Sequence, residues 1–223
     1  MNLRIGIAVL LIALPIAFNV IFFLLQKAFG YPDILRKPAG DILRRFAEGG
    51  PRLVGLWYAF TLTALLFIPL GVLLPRLLAA DNPAWFALAA ALGVLAGLVQ
   101  ALGLLRWPFL APYLAKTYTQ PEASQARRDA VEVVFQAFHQ YLGVAVGEHL
   151  GYLFTGAWTA LVAYRLIIHS GVSWFGWLGL VCAAGILVGM LEPAGFKRAG
   201  LINAIAYILW SLWLVTLGII ILI

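Results

Sequence analysis

Charge is scarce in this sequence. Asp, Glu, Lys and Arg make up 11% of its 223 residues, against about 25% in soluble domains. There is one cysteine, Cys182, so no disulfide framework can form within the chain. No H-E-x-x-H, G-x-S-x-G or glycine-rich phosphate loop is present, which removes the motif basis for a zinc protease, a serine hydrolase or a nucleotide site. Glu148-His149 lacks the second histidine one turn away, and α-helical spacing sets His139 about 180° from Glu148. Three or four converging zinc ligands are therefore not expected. All three histidines (His139, His149 and His169) fall on one expected helix and its flanks, which argues against haem held by two facing histidines. No catalytic residue, metal or cofactor is assigned on these grounds. No segment between the apolar runs is long enough for a folded soluble domain.

What the chain has is apolar length. Hydrophobic residues make up 64% of it, well above the about 45–50% of soluble domains. Runs of 18 or more apolar residues recur from end to end, which marks membrane helices rather than a soluble core. Eight Trp and eight Tyr suit interfacial belts. The expected fold is all-α, a polytopic bundle of six transmembrane helices forming one domain. The spans are placed at about 5–25, 53–74, 84–105, 141–164, 174–191 and 201–222. The first is read as a retained span, because its apolar run exceeds the 7–15 residues of a signal peptide.

Between spans 1 and 2, residues 41–48 pattern as a short amphipathic helix. Asp41 is placed at its start and Gly49-Gly50 at its end. Ile42, Leu43 and Phe46 share one face, expected to lie on the anionic membrane surface. After span 3, Thr119-Gln120-Pro121-Glu122 has capping-box spacing, so a cytoplasmic helix is expected over about 120–140. One straight helix from Gln120 to Ile168 would run roughly 73 Å, against a hydrocarbon core of about 30 Å. A bend or break is therefore expected among Gly143, Gly147 and Gly151. Those three glycines, with Gly93 and Gly97 in span 3 and Gly185 and Gly189 in span 5, have the small-xxx-small spacing of close helix packing. Gln100 is placed to bond across the bundle.

Twelve of the fifteen Lys and Arg fall in loops 1, 3 and 5. The positive-inside rule puts those loops in the cytoplasm and both termini on the other side. The same placement explains the formal charge of +6 without invoking nucleic acid. Glu148 and His149 then lie roughly 10 Å into span 4 from the cytoplasmic side. Arg106, His139, Glu192 and Asn203 come from the same side, so these six residues are expected to line one cavity. Along span 4, Glu148, Tyr152, Thr155 and Thr159 follow helical spacing and form a polar seam. Ionisable groups in lipid cost roughly 2.5–3.5 kcal/mol each on insertion scales. The seam is thus either a path for a proton, ion or polar solute, or structural glue.

The runs HLGYLFTGAWTALVAYRLIIHSGVSWFGWLGLVCAAGILVGMLEPAGF and NAIAYILWSLWLVTLGIIIL resemble a bacterial multi-pass membrane family catalogued as domain of unknown function 4386. His149, Gly151 and Tyr152 give its H-x-G-Y opening of span 4. Trp177, Leu178 and Gly179 give W-L-G in span 5, and the last span is Trp-rich. The resemblance implies residence in a bacterial inner membrane and brings no assigned activity or catalytic residues. Three functions fit in descending order. The first is a non-enzymatic protein that binds or passes a small solute, ion or lipid at the Glu148 cavity. The second is a structural or regulatory partner of another membrane protein, or a homo-oligomer, using the glycine faces. The third is an intramembrane enzyme. The bilayer itself is the one partner the composition requires.

Overall fold

Two asparagine and serine caps, two proline-bearing turns and one glycine break set the helix boundaries. In the computed structural model, residues 3–78, 82–169 and 171–223 are described. Parts of the expected second and fourth loops, residues 79–81 and 170, lie outside them. The helices are α1 Leu3–Phe29, α2 Ala39–Leu78, α3 Pro83–Leu105, α4 Ala111–Thr119, α5 Gln125–Phe138, α6 Gly151–His169, α7 Ser173–Val188 and α8 Ala199–Leu222. A π-turn, Arg106–Leu110, joins α3 to α4, and a π-helix, His139–Leu150, joins α5 to α6. Six helical stretches are long and apolar enough to cross a membrane: Leu3–Phe29, Ala39–Leu78, Pro83–Thr119, Gln125–Ile168, Ser173–Leu191 and Ala199–Leu222. Among the described residues there is no strand. The chain is an all-α, multi-pass membrane protein.

Local chemistry explains where the boundaries differ from expectation. Span 3 does not stop at Leu105. Pro108 cannot donate a backbone hydrogen bond, and the wider i→i+5 turn around it carries the helix on to Thr119. The following helix starts at Gln125 rather than near Gln120. Ser124 caps it, accepting from the Arg127 amide at 3.3 Å. Across Gly143, Gly147 and Gly151, where a bend or break is expected, the hydrogen bonding widens into twelve residues of π-helix, and helical structure runs on from Gln125 to Ile168.

The amphipathic segment is the first part of α2, and Asp41 lies within its first turn, bonded to Arg44. Gly50, at φ 55°, breaks the helix, and Pro51 restarts it. Its apolar face does not lie on lipid. Ile42, Leu43 and Phe46 are buried within the protein, beside Phe29, Trp57 and Trp107. Trp57 and Trp107 stack at 4.5 Å with planes 11° apart. An amphipathic pattern reports an apolar neighbour without saying whether that neighbour is lipid or protein.

The six spans pack in a closed order. α1 meets α2, α2 meets α3, α3 meets the π-helix and α6, α6 meets α7, α7 meets α8, and α8 returns to α1. In lipid such contacts rest on close packing and hydrogen bonds, because lipid tails are as apolar as leucine. Gly71 and Gly93 bring α2 and α3 together: a Cβ on Gly93 would fall 2.6 Å from the Gly71 Cα. Gly97 lies against the Ala64 carbonyl, and Gly185 against Ala206. Buried side chains pin the rest. Trp158 Nε1 donates to the Gly71 carbonyl at 3.1 Å, Trp213 Nε1 to the Phe175 carbonyl at 3.0 Å, and Arg165 Nε to the Leu78 carbonyl at 2.9 Å. Two apolar cores result. One lies around Trp158, Phe67 and Trp213, the other around Phe29, Trp57 and Trp107. A polar layer separates them.

Candidate functional site

The polar layer depends on the π-helix. At 100° per residue, nine steps would set His139 and Glu148 on opposite faces. With i→i+5 bonding and roughly 82° per residue, nine steps return them to nearly the same face. The π winding therefore turns toward one face residues that α-helical spacing would set on opposite faces, and each of the two falls within reach of Arg106's charge.

Arg106 is the centre of this face. Its guanidinium lies over Gly143, where a Cβ would come within 2.6 Å of Nη2. It donates to the Gly103 carbonyl, reaches His139 Nδ1 at 3.5 Å and sits over the Trp107 ring at 5.1 Å. For Arg106 to donate to Nδ1, His139 must carry its proton on Nε2. The His139 ring stacks on Phe135 and is only 8% exposed. Arg106 Nε is buried with no hydrogen-bond partner among the described residues. Beneath it, Gly103 and Gly147 let α3 and the π-helix touch backbone to backbone; a Cβ on Gly103 would be 2.6 Å from the Gly147 Cα.

Glu148 is half-buried. Among the described residues it has no ion pair within 4.0 Å and no hydrogen bond. It lies within electrostatic range of Arg106 and Glu192. Tyr31, Tyr152 and Tyr207 in turn feel its charge. The Tyr31 hydroxyl is pushed up to about 12, first by burial and then by Glu148, with Arg106 acting in the opposite direction. Tyr31 is held by the rings of Phe22 at 5.3 Å and Trp57 at 5.1 Å. Tyr152 and Tyr207 face each other at 6.0 Å.

Deeper in, the seam is closed by hydrogen bonds. Gln100 Nε2 donates to Thr155 Oγ1 at 2.9 Å, and Gly151 packs against the Gln100 side chain. Trp210 Nε1 donates to Thr159 Oγ1 at 2.9 Å. Asn19 donates to Ser211 Oγ at 3.1 Å. A cavity of about 30 Å³, room for a water or two, lies between α1, α2, α3 and α8 and is lined in part by Thr63, Gln100, Tyr207 and Ser211.

Of the residues singled out from sequence, Arg106, His139, Glu148 and Tyr152 are thus brought into one layer, with Thr155 below. Glu192 stands at its edge, exposed, with its carboxylate beside Gly200. Asn203 is buried and committed elsewhere: its amide donates to the Ile186 carbonyl at 2.9 Å, tying α8 to α7, with Gly189 making room for it. His149 is half-buried and makes no hydrogen bond, ion pair or ring contact among the described residues. Sequence reasoning missed Tyr31, Trp107 and Tyr207. Tyr31 sits in a loop and Tyr207 in an aromatic-rich span, so neither pattern marks it as part of a polar site. Among the described residues no three of His, Cys, Asp and Glu come together as a metal ligand set.

No curated protein and no solved structure matches the chain. The model of the family described as Domain of unknown function (DUF4386) matches residues 6–218. That match spans both halves, including the first, which the runs that carry the resemblance do not cover. A six-span helical bundle matched from residue 6 to residue 218, nearly its whole length, the chain belongs to the DUF4386 family.

Proposed function

We propose that this protein is non-enzymatic and binds or passes a small solute, ion or lipid at the polar layer around Glu148. One observation carries the reading. A guanidinium and a carboxylate share the bundle interior, yet each keeps bonding capacity that no neighbour among the described residues takes up. A buried polar group without a partner costs about 1–3 kcal/mol, more when charged. A ligand, proton or water that completes both groups offsets that cost. The glycines weigh against the second reading, a scaffold that docks other proteins through glycine faces. Gly93, Gly97, Gly147, Gly151, Gly185 and Gly189 all pack against neighbours within the chain.

The test is Glu148→Gln in reconstituted vesicles, read by pH-sensitive dye and by uptake of a panel of small ionic and zwitterionic solutes. Loss of a flux seen with the native chain, at unchanged folding, is expected. A native flux that survives the substitution intact would remove Glu148 from the path.

The same reading sets the basic ends of the helices in the cytoplasm of a bacterium, with both termini on the far side of its inner membrane. A cysteine placed at Lys37, in a Cys182→Ser background, is expected to resist an impermeant maleimide added to intact cells. Labelling from outside would reverse the orientation.

A further inference from the structure

At the basic end, away from Glu148, a groove of about 410 Å³ opens between the end of α1 and the break in α2. Its lining is Leu24, Lys27, Ala28, Arg45, Gly49, Arg52 and Leu53. Three of these seven residues are cations and none is acidic. Glu48 stands nearby, and its carboxylate takes Arg45 Nη1 at 3.1 Å. Arg45 Nη2 reaches the Ala28 carbonyl at 3.4 Å, which fixes its side chain across the gap. Lys27 and Arg52 have no acidic partner among the described residues. Lys27 lies over the Phe23 ring at 4.4 Å, and Phe23 itself is half exposed.

The groove is built by the glycine break. Gly50 turns the chain at φ 55°, so the segment that begins with Pro51 starts at the groove, with Arg52 and Leu53 on its wall. A helix start favours negative charge beside it. Leu24, in the last turns of the first apolar span, and Leu53, just after the break in α2, add an apolar wall. Cations above an apolar wall match a phosphate attached to acyl chains better than a phosphate free in solution.

We propose that this groove is a binding site for the phosphate headgroup of an anionic lipid. Lys27 and Arg52 supply the two uncompensated charges, and Arg45 is the fixed third. The site differs from general attraction of a basic surface to an anionic leaflet, because it requires three particular side chains converging on one groove.

Native mass spectrometry of the detergent-purified full chain tests it, with phosphatidylglycerol, phosphatidylcholine and inorganic phosphate as separate probes. The native chain is expected to retain phosphatidylglycerol in preference to phosphatidylcholine. Lys27→Gln/Arg52→Gln is expected to weaken phosphatidylglycerol roughly thirtyfold, from two cations lost at about fivefold each. All three cations are exposed, so the variants keep the fold. Lys27→Arg is expected to retain binding. Lys116→Gln/Arg127→Gln, two basic residues away from the groove, serves as the control. Equal loss in that control would mean a diffuse field and overturn the site. Inorganic phosphate binding as tightly as the lipid would overturn the lipid as occupant, as would native binding with no preference for the anionic headgroup.

Discussion

Arg106→Leu is expected to lower the melting temperature of the purified protein by roughly 2–12 °C, and adding Glu148→Leu is expected to restore part of it. The substitution removes the donor to the Gly103 carbonyl and the His139 ring and the cation near Glu148. Leaving buried polar groups unsatisfied costs about 1–3 kcal/mol, and each kcal/mol shifts melting by about 2–4 °C at this chain length. Part of the penalty arises because Glu148, with no ion pair of its own among the described residues, loses the field of Arg106. Replacing both partners with apolar residues removes the uncompensated charge, and such replacements are often neutral or stabilising. A thermal-shift double-mutant cycle measures the coupling, and a double variant as unstable as the sum of its parts would mean the two charges do not act on each other. The cycle also separates stability from function. The double variant is expected to be stable and to lose any flux that depends on Glu148. Structural glue alone would lose neither.

Gly103→Ala is expected to cost about 1–3 kcal/mol or more, as overpacking of a tight interface does. Its new methyl would meet the Gly147 Cα at 2.6 Å and the Leu142 carbonyl at 2.9 Å. Both are backbone atoms, so neither can rotate away. The α3 helix must move off the π-helix, and Arg106, three residues on, moves with it. Gly55→Ala is the control. Gly55 is an exposed glycine of α2 with nothing within 4 Å of the added carbon, and alanine there is expected to be neutral or to stabilise by up to about 1 kcal/mol. Equal melting temperatures for the two variants would show that the Gly103–Gly147 approach is not tight.

The six spans were legible because bilayer thickness demands long apolar runs, and composition alone displays them. The bond across the bundle from Gln100 was also legible, since a lone amide on an apolar helix needs a partner. Helix ends were harder to read. Thr119 and Ser124 both offer caps, and only the backbone decides between them. Arg106-Trp107-Pro108 looks like a stop because proline ends α-helices, yet a π-turn absorbs it. The apolar face of residues 42–46 was visible, but its neighbour was not. The site was legible as a set of residue types and not as a constellation. Glu148, Arg106 and His139 stood out as charges among apolar residues. Their meeting depends on i→i+5 bonding, which no residue type announces. Asn203 looked like a lining residue and proved to be a clamp on Ile186.

The π-helix makes the site a matter of residue count. Over the nine steps from His139 to Glu148, α and π winding diverge by roughly 160°. A relative that lacked one residue in this interval would keep the same hydropathy profile, the same six spans and a glutamate in the same span. That glutamate would face another neighbour. Transfer of the Glu148 site to other chains in the family therefore rests on the spacing from arginine-facing histidine to glutamate, an insertion-sensitive ruler within an otherwise tolerant membrane fold.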